Sequence, residues 1–313
     1  LSISVHLTVF AGKPVRDWEP DDPIDPAITY RLSITYEEAQ DKSTWTDKFA
    51  AYLNTPNAAQ TTGLIIGAWW SFGAGEQNVD IIPALVAARD RLPALKALFI
   101  GEITYEESEI SWIRQSDLSP ILEAYPALEH FQIRGSERLS LGSLDHAALK
   151  TLILESGGLP RGVVSEVMRA KLPALEHLEL WLGVENYGGD AEVGDLYPIL
   201  NNTALFPKLR YLGLRDSEIA DEIAAAVAIA PVLSHIRVLD LSLGVLSDVG
   251  GQALLDSPAI AKLDLLDLHH HFFSAELMEK FKALPITVDL SEAEGLRATR
   301  FPGDDGRFVA VSE

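Results

Sequence analysis

No cysteine occurs among the 313 residues. Disulfides, thiolate metal sites and cysteine nucleophiles are therefore excluded, and a reducing, cytoplasmic setting is the expectation. Basic residues are scarce: 25 Lys and Arg stand against 46 Asp and Glu, a formal net charge of −21. A field of that sign repels phosphate backbones and anionic bilayers, so neither nucleic acid nor membrane is an expected partner. It would attract a basic peptide or protein, although acidity also serves plain solubility. No apolar run approaches the roughly 20 residues that cross a bilayer. The opening stretch has no basic segment or cleavage site of the signal-peptide kind, and its alternation from Ile3 to Phe10 predicts a strand instead.

Catalytic signatures are missing as well. Gly73-Ala74-Gly75 lacks the third glycine of a dinucleotide fingerprint, and no Walker Gly-Lys-Ser/Thr phrase occurs. Glu155-Ser156-Gly157-Gly158 is not a Gly-x-Ser-x-Gly nucleophile elbow, and its glycines are read as turning the chain after a strand. Asp190, Glu192 and Asp195 lack the full calcium-loop pattern. No catalytic residue, resident metal or cofactor is expected, and the chain is read as a non-enzyme.

What the sequence does have is a repeat. Apolar residues make up 47% of the chain, enough for a large core. The pattern L-x-x-L-x-L, with conservative swaps, runs through Leu95-Leu98-Ile100, Leu128-Phe131-Ile133, Leu149-Leu152-Leu154 and Leu175-Leu178-Leu180. It continues in Leu209-Leu212-Leu214, Ile236-Leu239-Leu241 and Leu263-Leu266-Leu268. The copies recur about every 28 residues on average, within the leucine-rich-repeat range. Weaker rungs stand at Leu64-Ile65-Ile66 and Ile286-Thr287-Val288-Asp289-Leu290, which makes eight or nine strands. Apolar positions two apart point to one face of a short strand. One such unit cannot bury that face alone, but parallel stacking makes a continuous core.

Helical legs are predicted between the rungs at 80–92, 118–124, 163–170, 196–200 and 219–230. Ser247 and Ser274 mark the starts of two more. Prolines 93, 126, 173, 207, 231 and 285 follow these legs and stop them. Strand then helix, repeated, predicts an α/β leucine-rich-repeat solenoid: an open horseshoe arc with parallel strands on its concave face and helices on its convex face. Residues 1–60, with four prolines and Trp18, Trp45 and Phe49, are read as an N-terminal cap. The repeat domain is placed at 61–291, and 292–313 is read as a hairpin cap or a flexible tail.

With the repeats placed, the chain resembles a bacterial family of uncharacterised leucine-rich-repeat proteins, kin to repeat proteins that carry a small domain named for a Trp-Gly-Arg motif. The resemblance runs from Phe10-Ala11-Gly12-Lys13-Pro14-Val15 to about Leu290. It includes Ile66-Gly67-Ala68-Trp69, Glu109-Ile110-Ser111-Trp112-Ile113, Tyr187-Gly188-Gly189-Asp190 and Leu268-His269-His270-His271. It implies neither an activity nor catalytic residues, and no Trp-Gly-Arg tripeptide occurs here. Repeats with a helix in each return leg are also similar to the ribonuclease-inhibitor type. That likeness implies a curved scaffold with a concave binding face, not ribonuclease binding.

Side chains between the apolar rungs must leave the core and line the concave face. The candidate binding residues there are His130, Arg134, Glu155, His177, Glu179, Trp181, Tyr211, Arg215, Asp240, Asp267 and His269. Neighbouring strands lie about 4.8 Å apart, so Arg134, Glu155, Trp181 and Arg215 form one column. Aromatic and charged groups of this kind are enriched at binding hot spots, and a ladder of satisfied pairs is the alternative. His269 and His271 would share a face if their strand continued, and with Asp267 could hold zinc. The strand is read as ending there, and structural filling is preferred. Glu102, Glu106, Glu107 and Glu109 are read as a solvated acidic loop. Trp69-Trp70-Ser71-Phe72-Gly73-Ala74-Gly75 could cradle a ligand or plug the arc. The leading expectation is a cytoplasmic scaffold that binds a protein or peptide on the concave face. The alternative is an enzyme or metal-binding accessory protein with its site in the loops after the strands.

Overall fold

The repeat leucines face inward: every apolar residue of the seven L-x-x-L-x-L copies is at most 3% exposed. A computed structural model describes residues 3–20, 22–41, 43–70, 81–297 and 305–312. Its strands are β1 (Val9–Phe10), β2 (Lys13–Asp17), β3 (Thr29–Leu32), β4 (Gly63–Ile66), β5 (Ala97–Ile100), β6 (His130–Arg134), β7 (Thr151–Glu155), β8 (His177–Gly183), β9 (Tyr211–Ser217), β10 (Val238–Asp240), β11 (Leu265–Asp267) and β12 (Thr287–Asp289). They form one sheet in chain order. Among the described strands, β1 and β2 pair antiparallel and β2 through β12 pair parallel.

Parallel strands in chain order need a crossover between each pair, and short helices supply most of them. The helices are α1 (Tyr36–Gln40), α2 (Trp45–Asn54), α3 (Ile82–Ala87), α4 (Ser119–Ala124), α5 (Arg161–Met168), α6 (Val193–Asn201), α7 (Ala220–Ile229), α8 (Asp248–Leu255) and α9 (Ala275–Lys282). Ser247 caps α8 by accepting from the Val249 N–H, and Ser274 caps α9 by accepting from the Leu277 N–H. The helices flank one face of the sheet, and their apolar sides join the strand leucines in one core that runs from Trp18 to Phe281. The fold is an open α/β solenoid arc. No helix among the described residues is long and apolar enough to cross a membrane.

The sheet is longer than nine rungs because residues 9–32 add three strands. These strands escape the repeat pattern. In β3 the core-facing Tyr30 and Leu32 flank an arginine, and β2 reads Lys-Pro-Val-Arg-Asp. Trp18, Trp45, Phe49 and Tyr52 close the core at this end. The Trp18 and Tyr52 rings meet edge-on at 5.3 Å, and Trp45 and Phe49 stack at 4.8 Å.

Alternation from Ile3 to Phe10 does not make a long strand; only Val9 and Phe10 pair. The segment crosses the inner face instead. Leu7 and Phe10 pack on Ile65, Ala97 and Phe99, and the Leu7 N–H donates to Glu102 at 2.8 Å. At the other end, residues 307–312 have no regular secondary structure and lie along the strand exits. The Ala310 N–H donates to the Leu243 carbonyl, and the Val311 N–H to the Asp216 carboxylate. Ser71–Gly75 of the aromatic loop, Asp80 of the first predicted helix, and residues 298–304 and 313 of the C-terminal segment lie outside the described residues.

Candidate functional site

The inner face is built from side chains that alternate with the buried leucines, and parallel register sets them side by side. Arg134 is level with Glu155, and Trp181 with Arg215. The eleven residues singled out from the sequence fall into three groups, with His130 apart.

In the first group Arg134 Nε donates to Glu155 at 2.6 Å, and Arg134 Nη1 to the Ile103 carbonyl at 2.7 Å. Gln132 donates to the other Glu155 oxygen at 2.5 Å, and the guanidinium lies 5.3 Å from the Phe99 ring centre. Arg134 is 4% exposed and Glu155 6%, so this pair is closed off from solvent. His130 stands next to it, bonded to Gln132 at 3.2 Å and edged by Phe10. Burial lowers the His130 pKa to about 4, so its ring is neutral at pH 7.

The second group centres on Glu179. It accepts from Trp181 Nε1 at 2.6 Å, Arg215 Nη1 at 2.6 Å and His177 Nε2 at 3.3 Å. Burial would raise its pKa, but the His177 bond, the Arg215 charge and the Trp181 bond outweigh burial and hold it down to about 2. Arg215 reaches onward to Asp240 at 3.1 Å and Ser242 at 2.9 Å. Asp240 also accepts from the Tyr211 hydroxyl. Gly213 makes this bridge fit. It lies between Glu179 and Asp240 in the register, and a Cβ there would come within 3.0 Å of the Glu179 side chain and 3.5 Å of Arg215. The His177 and Tyr211 rings stack at 3.8 Å with planes 9° apart. These rings, with Ile153, Val238 and Leu265, stay partly open, while Glu179 and Asp240 behind them are buried.

The third group lies at the C-terminal end of the arc. Asp240, Asp267 and Asp289 stand in one register row across β10, β11 and β12. Each accepts the backbone N–H two residues on, from Ser242, His269 and Ser291. His269 Nδ1 also bonds Asp267 at 2.7 Å, and this bond raises the imidazole pKa despite burial. Asp267, His269 and Asp289 present ligand-type atoms within 4.8 Å of one another, a set that oxygen- and nitrogen-seeking divalent cations can use.

The other two histidines of the run are structural. The strand ends at Asp267, and His270 turns through a left-handed backbone at φ 58°. The His270 and His271 rings are buried against the carbonyls of Phe308 and Leu290, so His269 and His271 do not share a face. Trp69 and Trp70 are buried and meet edge-on at 4.7 Å.

The acidic loop needs a correction. Glu106 is exposed, but Glu102 is fully buried. It accepts from Arg31 at 2.8 Å, His6 at 2.8 Å and the Leu7 N–H, and Arg31 holds Asp17 on its other side. Burial works against the Glu102 charge, but the His6 and Leu7 bonds and the Arg31 charge win and lower its pKa. A lone arginine between Tyr30 and Leu32 was the available signal, because alternation puts it on the inner face. Asp216 was also missed. It sits in a left-handed bend at φ 51° and is wholly buried, and burial pushes its carboxyl pKa well up.

No protein-family model matches the chain, and neither does any curated protein. Among solved structures, an internalin of Listeria monocytogenes is 13% identical, with 77% of this chain and 76% of that chain covered and a TM-score of 0.31, which adds nothing about this chain. A Bacteroides fragilis protein solved as a structural-genomics target is 32% identical, with a TM-score of 0.81 over 90% of this chain and 76% of that one. At that identity and coverage, the chain belongs to the same family of α/β solenoid proteins as the Bacteroides fragilis protein.

Proposed function

We propose that the arc is a leucine-rich-repeat scaffold that binds a basic, extended polypeptide segment along its inner face and performs no chemistry of its own. One observation carries the reading: the strand exits bordering this face already hold irregular polypeptide through main-chain atoms. Residues 307–312 are held this way, with Phe308 O accepting from His270, Ala310 N–H donating to Leu243 O, and Ser312 O accepting from Ser111. The strip of Ile153, His177, Tyr211, Val238 and Leu265 offers neighbouring apolar and aromatic surface. Its two rings are oriented by the Glu179–Arg215–Asp240 bridge, His177 through Glu179 and Tyr211 through Asp240, so they need little ordering on binding. The chain's charge of −21, with Asp267 and Asp289 partly open beside the strip, favours a basic occupant.

Trp181 and Arg215 are poor test positions, because both hold Glu179 and their loss disturbs the fold. Val238→Lys and Leu265→Lys alter only partly open side chains and set a like charge against a basic occupant. Peptides selected from a random library against the wild-type protein should include basic, apolar-alternating sequences that bind saturably by fluorescence anisotropy. These should lose affinity for either variant while circular dichroism and Tm hold. Equal affinity for wild type and both variants would reject the inner face as the site.

A further inference from the structure

A separate cavity of about 510 Å³ opens at the opposite edge of the sheet, where β4 to β7 begin. Small residues shape its floor: Gly63 and Ala97 stand level with Thr29 on one side and His130 on the other. Its walls carry Lys13, Lys96 and Lys150. In a chain of net charge −21 this is a local reversal of sign. Glu129, also in the wall, bonds Lys96 at 2.7 Å and Lys150 at 2.6 Å, so it offsets the mouth only in part.

Lys13 is different. Its ammonium donates to the Pro26 carbonyl at 2.5 Å and to the Thr62 hydroxyl, both neutral acceptors. No carboxylate among the described residues pairs with it. An ammonium has three N–H donors, so one is left over. Thr29 is fully buried, and its hydroxyl has no partner among the described residues. A half-buried cation without a counter-charge and a buried hydroxyl without an acceptor are both costly. One oxyanion in the cavity relieves both.

We propose that this cavity binds a small organic oxyanion, a carboxylate or phosphate monoester, with its charged head at Lys13 and Thr29 and its body over Ala97 and His130. The volume lies in the range of small-molecule sites. Lys96 and Lys150 at the mouth draw the anion in against the repulsion of the rest of the surface. The His130 ring contributes a neutral, flat wall.

The probes are benzoate, phenyl phosphate and inorganic phosphate, titrated calorimetrically into the full chain at constant ionic strength. The first two distinguish carboxylate from phosphate heads, and the third asks whether the body matters. Saturable binding of at least one probe is expected. Lys13→Met should weaken it by at least about tenfold, the loss of one charge-assisted hydrogen bond. Thr29→Val should weaken it while preserving shape, and it serves as the test if Lys13→Met does not fold. Absence of saturable binding for all three probes, or equal affinity in a folded Lys13→Met or Thr29→Val variant, would overturn the proposal.

Discussion

Replacing Arg134 by Met tests whether the inner face is closed. The guanidinium is 4% exposed, bonded to Glu155 at 2.6 Å and to Ile103 O at 2.7 Å. Its removal leaves a carboxylate that is 6% exposed with only the Gln132 amide for company. Breaking a buried pair from one side costs about 3–5 kcal/mol, because the remaining charge stays desolvated. At a typical unfolding entropy per residue, that lowers the Tm of a 313-residue chain by about 5–8 °C. Adding Glu155→Gln to the same variant removes the orphaned charge and keeps an acceptor for Gln132. The double variant should therefore recover most of the loss, leaving a deficit of about 1–2 kcal/mol from the Ile103 carbonyl and the emptied contact with Phe99. Urea unfolding followed by tryptophan fluorescence and circular dichroism measures both. A single substitution that costs less than about 1 kcal/mol, the range of exposed pairs, would refute the closed ladder. So would a double variant no more stable than the single one.

Three further outcomes follow from other parts of the arc. Burial raises the Asp216 pKa above its unfolded value, so its contribution is fully present below the ordinary carboxylate range and is lost as pH rises through the folded value. Asp216→Asn should therefore raise Tm at neutral pH more than at pH 4, and a uniform change in Tm would contradict this. The bond to Asp267 raises the His269 pKa, so its stabilisation is complete below about 6.5 and fades above the raised value; His269→Gln should flatten the Tm profile in that window, and an unchanged profile would tell against it. A Cβ at Gly157 would lie 2.6 Å from Ser312 O; Gly157→Ala should thus loosen residues 307–312, read as faster amide exchange at Ala310 and Val311 with the central strands still protected.

The apolar rungs announced the arc because a period-two pair of leucines, repeated about every 28 residues, has one stacking solution. The inner-face positions followed from alternation alone, and the register sets them level with one another from Ala97 to Asp267. What lies over those positions was not legible. Phe10 and Val311 reach strands far away in sequence, and nothing in their local pattern distinguishes a segment lying across a sheet from one joining it. Glu102 shows the same limit. Among Glu106, Glu107 and Glu109 it reads as one more solvated acid, and only the arrival of Arg31 and His6 makes its burial tolerable. The cavity at Lys13 was hidden for a related reason: its walls come from the β1–β2 turn and from residues preceding several rungs.

Stacked repeats make charge placement a problem of neighbours, since equal positions on adjacent strands lie about 4.8 Å apart. The middle row of the inner face runs Glu179, Gly213, Asp240, Asp267 and Asp289. Compensation along it declines. Glu179 has Arg215, Trp181 and His177; Asp240 shares Arg215 and takes Tyr211 and Ser242; Asp267 has a histidine that is charged only when protonated. Asp240 shows the strain: burial first, and Asp267 in addition, push its pKa up against the pull of Arg215. A cation arriving beside Asp267 and Asp289 would relieve repulsion that the fold itself leaves in place. That residual field gives the open end of the arc its polarity, and on the proposed reading a partner's lysine or arginine would meet it where side chains are still accessible. The closed Arg134–Glu155 pair has no such demand, so the basic groups of a peptide on the strip are expected toward β11 and β12 and the larger unfolding costs toward β6 and β7.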